Sequence, residues 1–168
     1  MDKKLDLVIL GDGSLGQAVY KVIKDAKKTV ALWGRNGTTT DPAAGLSELI
    51  ASTNLIMVCV PSHGFKGLVT EVGEFVKGNQ CIVHLARGLD KESRLPMSEV
   101  IREKSCVLKI GALSGPVIAE ELNSGEPGGA VIASKYKEVK DASKGTLSGA
   151  AKHHAVSVPL FAHAPKEH

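Results

Sequence analysis

A length of 168 residues fits one domain and is enough to bury a substantial core, and 43% hydrophobic against 23% charged residues is a globular composition. No apolar run is long enough to span a bilayer, which argues against a helical membrane protein. The net charge of +3 falls in residues 135–168, where six lysines face three acids; with 4% aromatics and no clustered arginine, that reads as a solvated surface and argues against nucleic-acid binding.

Along the chain, short apolar runs alternate with helical periodicity. The start, "MDKKLDLVILGDG", carries charge but too short an apolar run and no small-residue cleavage site for a signal peptide, so a cytoplasmic protein is expected. Strands are predicted over Leu5–Leu10, Thr29–Trp33, Leu55–Val60, Cys81–Ala86, Cys106–Leu113 and Gly129–Ala133. Their near-continuous apolar character is that of parallel strands covered on both faces. Between the first two, Leu15, Ala18, Val19, Val22, Ile23 and Ala26 recur at helical spacing; between the third and fourth, Phe65, Leu68, Val69, Val72 and Val76 do the same. Further helices are expected over Leu46–Ala51, Arg94–Glu103, Ile118–Leu122 and Tyr136–Leu147, and an edge strand within "AVSVPLFAHA". Alternation of this kind predicts an α/β fold, a doubly wound, mostly parallel Rossmann-type sheet with helices on both faces. Residues 1–134 are expected to form that domain and residues 135–168 a C-terminal extension. Cys59, Cys81 and Cys106 all lie in apolar runs, so buried, reduced thiols are expected. No CxxC or paired Cys/His spacing occurs, and His153, His154, His163 and His168 show no ligand regularity, so no metal site is expected.

The stretch "VILGDGSLGQA" places Gly11, Gly13 and Gly16 in a G-x-G-x-x-G pattern between the first strand and the first helix. That context makes a weak motif informative. Gly11 permits the tight turn, Gly13 lets a pyrophosphate approach the backbone, and Gly16 allows the helix to pack closely. The N–H groups of Ser14, Leu15 and Gly16, at the positive end of the helix, would hold the phosphate charge. At the end of the second strand an NAD-selective site usually carries an acid. Here "WGRNG" places Arg35 there, 19 positions after Gly16. An arginine can stack on adenine and pair with a 2′-phosphate, so tolerance of NADPH is expected.

In order, "GDGSLGQA", "VALWGRN", "LIMVCVPSHGFKGLV", "LARGLDKE", "ALSGPVIAEEL" and "GEPGGAVIAS" resemble the N-terminal nucleotide-binding domain of the NAD(P)-dependent glycerol-3-phosphate dehydrogenase family, over about residues 5–134. The resemblance implies NAD or NADP as cofactor. It also implies hydride transfer between the nicotinamide and dihydroxyacetone phosphate or glycerol 3-phosphate. By position it puts Ser14 and Leu15 at the pyrophosphate, Arg35 near the adenosine, and Pro61 and Ser62 along the cofactor crevice. Arg87, Gly115, Val117 and Ala119 would lie around the nicotinamide and substrate. Several positions depart from the family's pattern. Leu15 replaces an aromatic, the connection "RNGTTTDPAAGL" is short, and Val117 replaces a small polar residue with one that cannot donate a hydrogen bond. Arg87 stands where the family carries lysine; it keeps the positive charge but cannot give up a proton at working pH.

The family's second half is a helical substrate domain with the general acid/base lysine, which these 168 residues do not include. Little or no turnover by the chain alone is therefore expected. Arg87 and His63, the latter at a strand's C-terminal edge, are the weak catalytic candidates, and His84 reads as core. The alternatives are a non-catalytic NAD(P) sensor or regulatory pseudoenzyme, an interaction scaffold that forms a stable homo-oligomer, and a different dehydrogenase assembled by dimerisation, in which a partner supplies the base.

Overall fold

The computed structural model describes residues 4–35, 44–115, 119–124, 129–147 and 155–157. The chain runs β1 (Leu7–Leu10), α1 (Ser14–Asp25), β2 (Val30–Trp33), α2 (Leu46–Ala51), β3 (Leu55–Val58), α3 (Ser62–Gly73) and β4 (Cys81–His84). It continues α4 (Met97–Lys104), β5 (Lys109–Ser114), α5 (Ala119–Ser124), β6 (Gly129–Ala133), α6 (Lys137–Leu147) and β7 (Ala155–Ser157). All seven strands join one sheet in the order β2-β1-β3-β4-β5-β6-β7. The pairings from β2 through β5 are parallel. β6 runs antiparallel to β5, and β7 parallel to β6. This is the doubly wound, mostly parallel sheet that the alternation of elements predicts.

Alternate residues of each strand point to opposite faces, so one apolar run feeds two cores. Val8, Leu10, Ile56, Val58 and Ile82 pack with Leu49 and Ile50 of α2, Phe65, Leu68 and Val69 of α3, and Val100 and Ile101 of α4. Leu7, Ile9, Met57, Val83 and Ile132 pack on the other face with Val19 and Ile23 of α1 and Val139 of α6. Runs such as LVIL and LIMV are buried throughout because both faces are covered. Two elements beyond residue 134 join this sheet: α6 lies against β4, β5 and β6, and β7 lengthens the sheet beyond β6.

Several strand boundaries are tighter than the apolar runs suggest. The first strand starts at Leu7, while Leu5 makes an isolated bridge to Thr53. β3 and β4 end at Val58 and His84, two residues before their runs do. The expected helix from Arg94 begins at Met97 instead. Arg94 has φ 59°, and Leu95 precedes a proline, which disfavours helical geometry there. The expected strand from Cys106 begins at Lys109, because residues 105–108 form the link from α4. Cys106 is correspondingly exposed, contrary to the expectation of three buried thiols; Cys59 and Cys81 are buried. Ala155–Ser157 forms the last strand, and residues 158–164 of the expected edge strand lie outside the described residues.

Candidate functional site

Strand order reverses at β1, whose neighbours β2 and β3 lead away in opposite directions. In open α/β sheets the crevice at such a switch point, outside the strands' carboxyl ends, is where ligands bind. The glycine loop leaves β1 there. Gly11 has φ 117°, and a β-carbon on it would fall 2.7 Å from the Cys59 carbonyl oxygen. Only glycine meets both demands. Its N–H donates to the Trp33 carbonyl at 2.8 Å, and the Leu10 carbonyl accepts from Cys59 N–H at 2.7 Å, so the loop is fastened to the exits of β2 and β3. At Gly16 a β-carbon would collide with the Gly11 carbonyl oxygen. α1 can approach the loop this closely only because position 16 has no side chain.

Gly13 caps α1 with extended geometry (φ −66°, ψ 176°), with no side-chain capping bond and no acid in the first turn. The N–H groups that open a helix have no intrahelical acceptor. A β-carbon on Gly13 would meet nothing within 4 Å, so space stands open over the first turn. Free donors, the positive helix end and that open space fit a dinucleotide's pyrophosphate. The Gln17 side-chain amide donates to the Asp12 carbonyl at 2.7 Å and stiffens the loop from within the helix. Cys59, beneath the loop, has its thiol pushed up to about 12 by burial and stays protonated, which gives it no nucleophilic character.

A cavity of about 240 Å³ opens beside the first turn of α1 and is lined by Leu15, Leu85, Arg87, Leu113, Ser114 and Gly115. Pockets that enclose a whole drug-sized ligand run to about 300–1,000 Å³. This one has room for a single ring or a small phosphorylated substrate, not a whole dinucleotide. The Arg87 guanidinium donates to the Gly115 carbonyl at 3.1 Å, bridging the exits of β4 and β5. Beyond Arg87, the loop is held by Lys66 on Glu92 at 2.6 Å and by Asp90, whose carboxylate accepts from the N–H and hydroxyl of Ser93. Those two bonds from Ser93 hold the Asp90 carboxyl below its ordinary pKa.

Of the residues singled out in the sequence, Leu15, Arg87 and Gly115 come together at this cavity. Gly11, Gly13, Ser14 and Gly16 form the loop. Pro61 caps α3 and Ser62 opens it, at the exit of β3. Ala119 is buried at the start of α5, which packs on α1. Arg35 stands apart: it pairs with Glu71 of α3 at 3.0 Å. His63 is exposed in the first turn of α3. Val117 and the four tail histidines lie outside the described residues. Leu85, Leu113 and Ser114 also line the cavity without having stood out in the sequence; their position at or just past strand ends was the available signal.

His84 is core, as its place in a strand predicts, but it is not inert packing. Nδ1 lies 3.2 Å from the Ala86 carbonyl and Nε2 2.8 Å from the Ser98 hydroxyl. Since a carbonyl only accepts, Nδ1 carries the proton and Nε2 accepts from Ser98. Burial pushes the imidazole below its ordinary pKa, with the Ala86 contact opposing in part. The ring therefore stays neutral near pH 7. It stacks edge-on to Phe65 at 5.6 Å and supports the exit of β4 from beneath.

The sequence profile described as NAD-dependent glycerol-3-phosphate dehydrogenase N-terminus matches residues 41–140. That match begins after the glycine loop, so the loop is read from its own geometry. A glycerol-3-phosphate dehydrogenase [NAD(P)+] of Acinetobacter baumannii (strain SDF) is 27% identical over 174 residues, covering 89% of this chain and 48% of the relative. One from Psychrobacter arcticus is 28% identical over 169 residues, covering 88% and 39%. The chain thus spans about half the length, or less, of these curated relatives. Among solved structures, glycerol-3-phosphate dehydrogenase from Coxiella burnetii superposes with a TM-score of 0.80 at 22% identity, over 94% of this chain and 54% of that one. Pyrroline carboxylate reductase from Plasmodium falciparum, solved with NADP bound, gives 0.69 at 13% identity, over 94% and 58%. At such identities the structural likeness establishes the shared fold.

Proposed function

This chain belongs to the NAD-dependent glycerol-3-phosphate dehydrogenase N-terminal family, and on that premise we propose that it binds NAD or NADP across the β1–β3 switch point and turns it over slowly or not at all by itself. The observation that carries the reading is the glycine loop: a closely packed turn at Gly11 and Gly16 beneath an open, uncapped helix end at Gly13. The backbone N–H groups of Ser14, Leu15 and Gly16 receive the pyrophosphate. Pro61 and Ser62 flank its path at the exit of β3. Leu15, Arg87 and Gly115 border the cavity that takes the nicotinamide ring. When bound, the nicotinamide supplies or accepts the hydride; the oxidised partner in the family's reaction is dihydroxyacetone phosphate.

What the cavity's own side chains contribute is positive charge and apolar walls. Arg87 attracts a phosphate or carboxylate, but a guanidinium does not exchange its proton at working pH. Leu15, Leu85 and Leu113 exclude water and move no proton. The Ser114 hydroxyl is no base near neutral pH. General acid/base catalysis needs a titratable group within hydrogen-bond reach of the reacting oxygen. None of the described side chains lining the cavity supplies one. His63, exposed at the exit of β3, is the one titratable candidate that the sequence offers outside the cavity.

Titration of the purified chain with NADH and NADPH, followed by Trp33 fluorescence and calorimetry, tests the reading. Dissociation constants in the micromolar range are expected, with little or no turnover of dihydroxyacetone phosphate. Binding weaker than millimolar for both nucleotides would sink it and favour an interaction scaffold.

A further inference from the structure

The sequence offers an arginine where an acid usually reads the adenosine ribose, and the structure redistributes the charges around that spot. Arg35 is drawn sideways onto Glu71 of α3 at 3.0 Å. Meanwhile Asp12, inside the glycine loop, folds its side chain onto the backbone of Gly34, the residue that follows β2. A β-carbon at position 34 would collide with the Asp12 carboxyl group, so that carboxylate occupies the place where a side chain at the end of β2 would begin. The backbone explains the approach. Gly11 N–H is bonded to the Trp33 carbonyl at 2.8 Å, which puts the next residue of the loop beside the next residue of the strand. Gln17, bonded to the Asp12 carbonyl at 2.7 Å, holds Asp12 in that register.

In this fold the ribose hydroxyls of the adenosine lie at the end of β2, and an acid there accepts from the 2′-hydroxyl. We infer that Asp12, reaching that point from the loop instead of from the strand, is the residue that selects a dinucleotide with a free 2′-hydroxyl over one with a 2′-phosphate, making the chain NAD-selective. The inference rests on the dinucleotide reading of the site and deepens it. The carboxylate can accept the 2′-hydroxyl proton, whereas a 2′-phosphate would meet like charge at short range. Arg35 does not offset this while it serves Glu71. Their pair is largely exposed (62% and 42%) and correspondingly weak, so the Arg35→Ala variant below tests whether the guanidinium leaves Glu71 for a 2′-phosphate.

NADH and NADPH titrations, read by Trp33 fluorescence and calorimetry, of wild type, Asp12→Asn, Asp12→Ser and Arg35→Ala decide the matter, with thermal melts checking that each folds. The wild type is expected to prefer NADH by about tenfold or more, since like charges a few ångströms apart at a surface cost at least that much. Its preference should shrink as salt screens the repulsion. Asp12→Asn and Asp12→Ser should each narrow the ratio by about tenfold through tighter NADPH binding. Arg35→Ala should leave the ratio within about twofold of wild type. Equal or better wild-type binding of NADPH, or an unchanged ratio in folded Asp12 variants that still bind, overturns the selectivity and leaves dinucleotide binding standing. A strong loss of NADPH affinity in Arg35→Ala assigns the reading to Arg35 and overturns it as well. Failure of folded wild type to bind either nucleotide removes both readings together.

Discussion

The two ends of the crevice are built to different tolerances. At the glycine-loop end, Gly11, Gly16 and the Cys59 carbonyl approach so closely that no β-carbon fits at either glycine, and backbone bonds join the loop to β2 and β3. At the cavity end, Arg87 is exposed and spans the cavity by a single bond to the Gly115 carbonyl. The buried Ser143 hydroxyl on α6 has no partner among the described residues. Backbone geometry, which few substitutions can imitate, dictates the first region. Side chains that could be exchanged singly make up the second.

The largest effect that would break this contrast is at Gly16. Replacement by alanine drives a β-carbon into the Gly11 carbonyl, so α1 must separate from the loop. A loss of about 3 kcal/mol of stability is expected, at the upper end of what overpacking costs. Denaturant unfolding measures it, and calorimetry should show NADH affinity falling at least about a hundredfold. A variant as stable and as tightly binding as wild type would end the idea of a geometrically fixed glycine loop.

Next comes His84 under the exit of β4. Its folded pKa lies below the unfolded value of about 6.5, so the unfolded chain takes up the proton more readily. The contribution is full above pH 6.5 and is lost as pH falls below it toward the folded value. Melting temperature should drop between pH 7 and pH 5 in wild type, and His84→Gln should flatten that slope. An equally steep slope in the variant would move the sensitivity elsewhere.

A smaller gain is expected from Ser143→Ala. Removing a buried hydroxyl without a partner should add up to about 1 kcal/mol, visible as a higher denaturation midpoint. Destabilisation instead would mean that the hydroxyl is satisfied after all. The smallest effect should come from Arg87→Ala. An exposed contact of this kind changes stability by no more than about 0.5 kcal/mol. NADH affinity should change by less than about threefold, a shift of about 0.6 kcal/mol. A large loss in either quantity would make the cavity end as tightly specified as the glycine loop.

Much of this was legible in the sequence. Uninterrupted apolar runs such as LVIL and LIMV could be buried only between two helical layers, and the spacing from Leu15 to Ala26 fixed the face that α1 buries. Gly11, Gly13 and Gly16 announced the loop because each answers a local steric demand. Boundaries were less legible: Pro96 and the left-handed Arg94 delayed α4, and the link after Lys104 kept Cys106 out of the sheet and exposed.

Element type, element order and the glycine loop were therefore set by the sequence alone, since periodicity and glycine chemistry act over a few neighbouring residues. Only the tertiary structure decided that Arg35 turns to Glu71, 36 positions away, that Asp12 lies on Gly34, and that Arg87 reaches Gly115. Those partners are far apart in the chain. Their meeting depends on how the helices seat on the sheet and where each strand ends, and nothing in the local pattern encodes that.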